Sequence, residues 1–166
     1  MPRLLFNFAD PLAVQGWRAI DDRVMGGASR SRLRADPQGH AVFEGEVSLA
    51  HGGGFASVRS PAGAFGGAGA REVVVETRGR GGPFKLALFV DDGFDSPAWQ
   101  CGLDPAPGPA WQHLHLRLAA FEARFRGRAV PGAPLLDARR LRQVGLLTAG
   151  RAARVFALEV RSIVLA

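Results

Sequence analysis

The sequence predicts an all-β protein, a sandwich or barrel of short strands with little helix. Three observations carry this. Over 41–49, Phe43, Val47 and Leu49 fall on one face while Glu44, Glu46 and Ser48 fall on the other, the period of two that marks a half-buried strand. The 22 glycines and 11 prolines are scattered between such runs and have no period of their own, which is turn punctuation. About ten short runs follow one another at that spacing with no heptad and no internal repeat, and the pattern leaves sandwich and barrel both open.

Taken in order, Leu4, Phe6 and Phe8 alternate with Leu5, Asn7 and Ala9 as a first strand, stopped by Asp10-Pro11. A second apolar piece, 17–20, enters an acidic-glycine turn at 21–27. The segment 28–34 is polar and alternating, an edge strand whose arginines discourage edge-to-edge pairing. After the turn Asp36-Pro37-Gln38-Gly39 comes the strand 41–49, broken by Gly52, Gly53 and Gly54 and resumed at 55–59. Pro61 opens a Gly/Ala-rich loop to 70. Strands are expected over 72–78, 84–90 and 98–103, and over 111–118, where Leu114, Leu116 and Leu118 oppose His113, His115 and Arg117. A helical turn fits 119–124, and Asp137 is placed to cap a short helix over 138–142. Strands over 144–148 and 154–165 close the chain. The last is apolar on both faces for much of its length, as a central, doubly covered strand would be. Phe43, Val47, Leu86, Leu88, Leu114, Leu116, Phe156 and Leu158 are the expected inward positions.

The 166 residues read as one domain, 1–166, and an apolar fraction of 47% is enough for a core. The formal charge is +6, nearly all of it arginine, since Lys85 is the only lysine. Genomic base composition is the preferred reason for that bias, although a basic surface favours acidic partners whatever its origin. Cys101 is the only cysteine, so no internal disulfide can form. The first residues lack the apolar run of a signal peptide, and no stretch approaches the roughly 20 apolar residues that span a bilayer. A soluble, cytoplasmic protein is expected.

The stretch 17–31, WRAIDDRVMGGASRS, and its echo 51–60, HGGGFASVRS, organise the rest. Paired glycines in a strand-like context mark backbone that turns sharply or passes close to another segment. Asp21 and Asp22 can hold such a turn by accepting backbone N–H groups. Met25, Gly26, Gly27, Gly53, Gly54 and Phe55 therefore form a structural motif. Asp22 to Ser29, followed by Phe43-Glu44-Gly45 and by Gly53 to Ser60, resembles the complex I intermediate-associated protein 30 family. The resemblance runs on through Trp111, Phe125-Arg126-Gly127-Arg128, 136–147 and the closing Phe156-Ala157-Leu158-Glu159-Val160. It implies a galactose-binding-like β-jelly roll, and a role like that of mitochondrial members, which assist complex I assembly. Family members often carry a tyrosine in the middle strands; this chain has none, and Phe84 stands near that place.

Chemistry-bearing residues are few. His51-Gly52-Gly53-Gly54 matches an oxyanion-hole motif, but no G-x-S-x-G nucleophile elbow accompanies it. His113 and His115 share a strand face with no third ligand in sight and read as solvated. Asp91, Asp92 and Asp95 could offer oxygens to calcium, although a solvated acidic turn is preferred. Asp21, Asp22, Ser29 and Arg59 read as a buried polar network centred on an Asp–Arg pair, with ligand recognition as the alternative. Trp99 and Gln100, with Trp111, are the candidates for a carbohydrate face; Trp17 and Trp111 are expected to help fill the core. Arg124, Arg126 and Arg128 alternate along an extended segment, with Arg139, Arg140, Arg142, Arg151 and Arg154 beyond them. They are the candidate partner surface. Phe125 is the only aromatic among them, so single-stranded nucleic acid is not favoured. The leading reading is a non-catalytic binding module that acts through protein contacts, with no cofactor and no metal. The alternative is a carbohydrate or small-ligand module on the concave sheet; an uncharacterised enzyme ranks third.

Overall fold

The computed structural model describes residues 2–92 and 96–166, the side chains of Val24 and Met25 excepted. Among them the strands run β1 (Arg3–Asn7), β2 (Arg18–Ala19), β3 (Arg30–Asp36), β4 (His40–Val47), β5 (Ser57–Arg59), β6 (Glu72–Arg80), β7 (Phe84–Phe89), β8 (Ala98–Gly102), β9 (Gln112–Arg117), β10 (Glu122–Phe125), β11 (Arg128–Ala129), β12 (Gln143–Thr148) and β13 (Arg154–Leu165). Helix is confined to short 3-10 turns. The strands form two sheets. One has six strands in the order β3-β4-β13-β6-β9, with β1 also paired to β13; the other has seven, in the order β11-β10-β8-β7-β12-β5-β2. Every pairing is antiparallel. The all-β fold expected from the alternation is observed, as the jelly-roll-like sandwich that the family resemblance implies.

The period-two runs place their apolar faces between the layers. Phe43, Val47, Leu86, Leu88, Leu116, Phe156 and Leu158 are buried, and Leu114 is half-buried against the same core. Phe43 and Phe156 of one sheet meet at 4.9 Å between centroids, and Phe84 of the other closes on Phe156 at 6.0 Å in an edge-on contact. Each such ring contributes on the order of 2–3 kcal/mol by leaving water. Phe6, Trp17 and Phe65 pack together at 5.0 and 5.3 Å from Phe6 and extend this core.

Several expectations need correction. β1 does not alternate cleanly: the register shifts between Leu4 and Phe6, so Leu5 and Phe6 both reach the core while Leu4 is 54% exposed. That is what a bulge does, since one extra residue moves the rest to the other face. β4 ends at Val47, leaving Leu49 exposed beyond it. β13 is central in its sheet, yet only one of its faces is covered, and Val155 on the other is exposed. The segment expected to make a helical turn at 119–124 holds a 3-10 turn, Leu118–Ala120, and then strand β10. Asp137 does cap a 3-10 turn, Ala138–Arg140, by accepting the Arg139 N–H.

Candidate functional site

The paired-glycine stretches form a polar knot where the two sheets approach. β2 runs out into a 3-10 turn, Asp22–Met25, which Gly26 ends at φ 89°. The turn buries both carboxylates. Asp22 accepts the Ser29 hydroxyl at 2.5 Å and the N–H groups of Ser29, Gly54 and Phe55 at 2.9, 2.6 and 3.1 Å. Asp21 accepts the Ser31 hydroxyl at 2.6 Å and the N–H groups of Ser31 and Ser57 at 3.0 and 2.9 Å. It thereby ties β3 of one sheet to β5 of the other. Burial pushes the Asp22 carboxyl up, but the Ser29 hydroxyl and the backbone N–H groups of Gly54, Ser29 and Phe55 together hold it below its ordinary value.

The glycines make room for this. A Cβ on Gly27 would collide with the Asp22 carboxylate, and one on Gly53 would stand 2.5 Å from Asp22 Oδ2. The expected Asp–Arg pair is not the centre of the knot. Neither Asp21 nor Asp22 takes a hydrogen bond from Arg59, whose guanidinium instead lies 3.9 Å from the centroid of Phe89. Asp22 and Ser29 are fully buried, so they hold backbone rather than present themselves to a ligand. Ser31 and Ser57, the partners of Asp21, were not singled out in the sequence; their only signal is the recurrence of serine beside both glycine pairs.

The aromatic candidates are also occupied. Trp99 is 8% exposed within the main core and donates its indole N–H to the Pro134 carbonyl at 3.4 Å. It cannot serve as the exposed stacking face expected of it. Trp111 is half-buried on the outer face of the six-stranded sheet, outside the core cluster. Arg161 and Arg78 lie over its ring at 4.1 and 4.5 Å, and the His40 ring meets it edge-on at 5.2 Å. Gln100 does face outward, on the seven-stranded sheet. Cross-strand pairing sets it in a row that runs Arg18, Arg59, Gly145, Ala87, Gln100, Glu122.

The arginines divide sharply. Arg124, Arg126 and Arg128 do not share one extended run: β10 and β11 are a hairpin whose two turn residues, Arg126 and Gly127, both have positive φ, 51° and 76°. Arg124 pairs with Glu122 at 3.3 Å, and Arg126 lies over Phe125 at 5.2 Å. Arg139 is held by Asp137 and Arg142 by Asp92, each at two contacts. Arg151 donates to the Gly52 and Gly53 carbonyls, and Arg154 to the carbonyls of Gly81, Pro83, Ala149 and Ala152. These last two are backbone clamps. Arg128 and Arg140 are exposed.

Other candidates are quickly placed. His113 and His115 are exposed on the outer face of β9, with His115 3.2 Å from Glu72. Asp91 accepts the Ser96 hydroxyl at 2.6 Å; Asp95 lies outside the described residues. Burial, then Asp104 and Glu122, raise the Cys101 thiol pKa, which makes it a poor nucleophile. Among the described residues no group of three His, Cys, Asp or Glu side chains could hold a metal ion. No helix there is long and apolar enough to cross a membrane.

A family model described as complex I intermediate-associated protein 30 matches residues 6–160, nearly the whole chain. The chain belongs to that family. The Asp22 knot is thus the structural content of this family member's D-R-V-M-G-G-A-S and G-G-F-A-S-V-R-S runs. Among curated protein sequences, none matches at a significant level. Solved structures similar to this family member include the family 11 carbohydrate-binding module of the cellulosomal cellulase Lic26A-Cel5E of Clostridium thermocellum. The TM-score is 0.71 at 11% identity, over 99% of this chain and 94% of that one. A family 11 carbohydrate-binding module from Clostridium thermocellum in complex with a β-1,3-1,4-mixed-linked tetrasaccharide gives a TM-score of 0.70 at 13% identity, over 99% and 94%. A family 29 carbohydrate-binding module gives 0.54 at 11%, over 99% and 87%. At such identities the likeness is one of fold alone, a two-sheet antiparallel jelly roll.

Proposed function

We propose that this chain is a non-catalytic binding module that works by protein–protein contact, in the manner its family's description implies. The observation that carries the reading is the state of its tryptophans. A saccharide is gripped largely by stacking its C–H face on an exposed ring; here the Trp99 ring is in the core and the Trp111 ring is covered by two guanidiniums. There is no tyrosine to replace them. The absence of catalysis belongs to the same reading: both buried carboxylates are filled by N–H and O–H donors, and no nucleophile–base pair stands beside them. So do the single-domain organisation, the cytoplasmic location and the lack of a cofactor. Arg124, Arg126, Arg128, Arg139 and Arg140 remain the proposed partner-binding residues, with Arg128 and Arg140 the most available of them.

Carbohydrate binding is the second reading, favoured by one observation. Gln100 faces out of the seven-stranded sheet between Ala87 and Glu122, with Gly145 beyond Ala87 and Arg59 in the same row, a low floor edged by polar groups. The two are separated by measuring both. Protein partners are recovered from native lysate with wild type and with an Arg124/Arg126/Arg128-to-Ala variant. In parallel, the domain is run through native gels containing mixed-linkage glucan, cellulose derivatives or agarose, and titrated with random-sequence DNA and RNA. A reproducible partner weakened by the triple variant supports the proposal. Retardation in a polysaccharide gel with no recovered protein would overturn it, and so would tight, salt-steep nucleic-acid binding.

A further inference from the structure

We propose that the outer face of the six-stranded sheet binds an acidic, extended polypeptide segment, in a groove between Arg30 of β3 and Arg80 of β6. This rests on the protein-binding reading above and names a second surface and the chemistry of its occupant. The groove has a volume of about 380 Å³. It exists because of one short side chain in a row of long ones. Pairing across four strands sets Arg32 opposite Glu44, Glu44 opposite Ala157 and Ala157 opposite Arg80. Arg32 and Arg80 therefore rise on either side of a floor at Ala157, about 14 Å apart for three strand spacings.

The charge in this groove is not balanced from within. Glu44 is the carboxylate on its floor, and two arginines already hold it, Arg32 at 2.7 Å and Arg34 at 3.0 Å. Glu46 stands opposite Arg30 at the end of the next row and is exposed. The Arg30 and Arg80 guanidiniums make no hydrogen bond or ion pair among the described residues. Both are exposed. A guanidinium fork pairs with a carboxylate through two parallel hydrogen bonds, so two carboxylates are the natural complement. In an extended chain, residues four apart stand about 14 Å from each other and point to the same face, which matches the distance from β3 to β6.

The apolar part of the groove selects a peptide over an acidic saccharide. Val155, 69% exposed, borders the groove, and its nearest ring, Phe156, is 1% exposed and turned into the core. An aliphatic side chain can cover Val155, whereas a sugar ring finds nothing to stack on.

The test uses the whole protein and three probes: a labelled peptide with two glutamates four residues apart and a leucine between them, its Glu-to-Gln counterpart, and an oligogalacturonate. Anisotropy titrations are made near physiological salt with wild type, Arg30→Ala/Arg80→Ala, and, at two exposed arginines outside both surfaces, Arg71→Ala/Arg117→Ala. The acidic peptide should bind wild type, weaken about tenfold or more with the Gln peptide and with the Arg30/Arg80 variant, and be unaffected by the Arg71/Arg117 variant. Unchanged melting of the Arg30/Arg80 variant confirms that the loss is local. No peptide binding, binding that the Arg30/Arg80 variant retains, or oligogalacturonate binding tighter than the peptide and dependent on the same arginines overturns the inference. A lysate partner that survives the Arg30/Arg80 variant removes this groove and leaves the protein-binding reading standing; recovery of no partner at all removes the reading itself.

Discussion

Asp22 is the residue on which most of the local order converges. Its carboxylate gathers four hydrogen bonds in a fully buried position. Asp22→Asn keeps the shape but removes the charge and turns an amide toward backbone N–H donors, so at neutral pH it should cost on the order of 2–4 kcal/mol. The pH dependence has a definite sign. The folded pKa lies below the unfolded value of about 4. The carboxylate therefore stabilises the fold fully above that value and loses its contribution as pH falls through the folded pKa. Denaturation of wild type and Asp22→Asn should accordingly converge below about pH 4; a difference that stays constant from neutral to acid pH would show that the charge is not what matters. The glycines beside it separate two causes. Gly27 has no space for a Cβ, while Gly26 has open space and a φ of 89°. Gly27→Ala should then lower stability by well over the ~1 kcal/mol of backbone strain that Gly26→Ala incurs. Equal melting temperatures for the two would refute the close-approach account.

At the scale of elements, the β10–β11 hairpin shows where local sequence misleads. Both turn residues have positive φ, the geometry of a two-residue I′ turn, which asparagine before glycine fits best. Arg126 occupies the asparagine place. Arg126→Asn should raise the melting temperature slightly or leave it unchanged, a gain of some tenths of a kcal/mol up to about 1; a clear loss of stability would mean that the arginine's own contacts outweigh its backbone strain. Alternation made the central strands legible because each has one dry face, as with Phe43 and Leu86. The hairpin was hidden because arginine is no turn signal, and Gly127 alone did not reveal that Arg124 and Arg128 lie on opposite strands. The knot was legible as a turn held by acids and glycines. That Asp21 and Asp22 are met by hydroxyl and backbone N–H donors was not legible, because whether a carboxylate is met by a guanidinium or by backbone N–H groups depends on which segment the fold brings past it. Trp99 was misplaced for the same reason: a strand of five residues with a two-fold choice of face gives a tryptophan either fate, and pairing with Leu88 and Ala123 turned it inward.

For the whole molecule, the two layers are held together in different ways along their length. Between β13 and β7 the hold is apolar, through Phe156, Phe84 and their neighbours. Where β3 meets β5, Asp21 and Asp22 replace packing with hydrogen bonds that cross from one segment to another 32 to 36 residues away. Such bonds join residues that no local turn would keep together, so they should break only when the layers part. Native-state hydrogen exchange can test this. The amides of Ser31, Gly54, Phe55 and Ser57, three of which lie at or beyond strand ends, should be protected nearly as well as those of the central strands β12 and β13. The amides of β10 and β11, a short hairpin at the edge of the seven-stranded sheet, should exchange through cheap local opening. Exchange of Gly54 and Phe55 at the rate of ordinary surface loops would mean that the knot opens by itself and that the apolar core alone joins the sheets. If they are protected instead, the family's glycine-rich runs are explained by stability, and its binding chemistry has to be sought on the outward faces, where Arg30, Arg80, Arg128 and Arg140 stand.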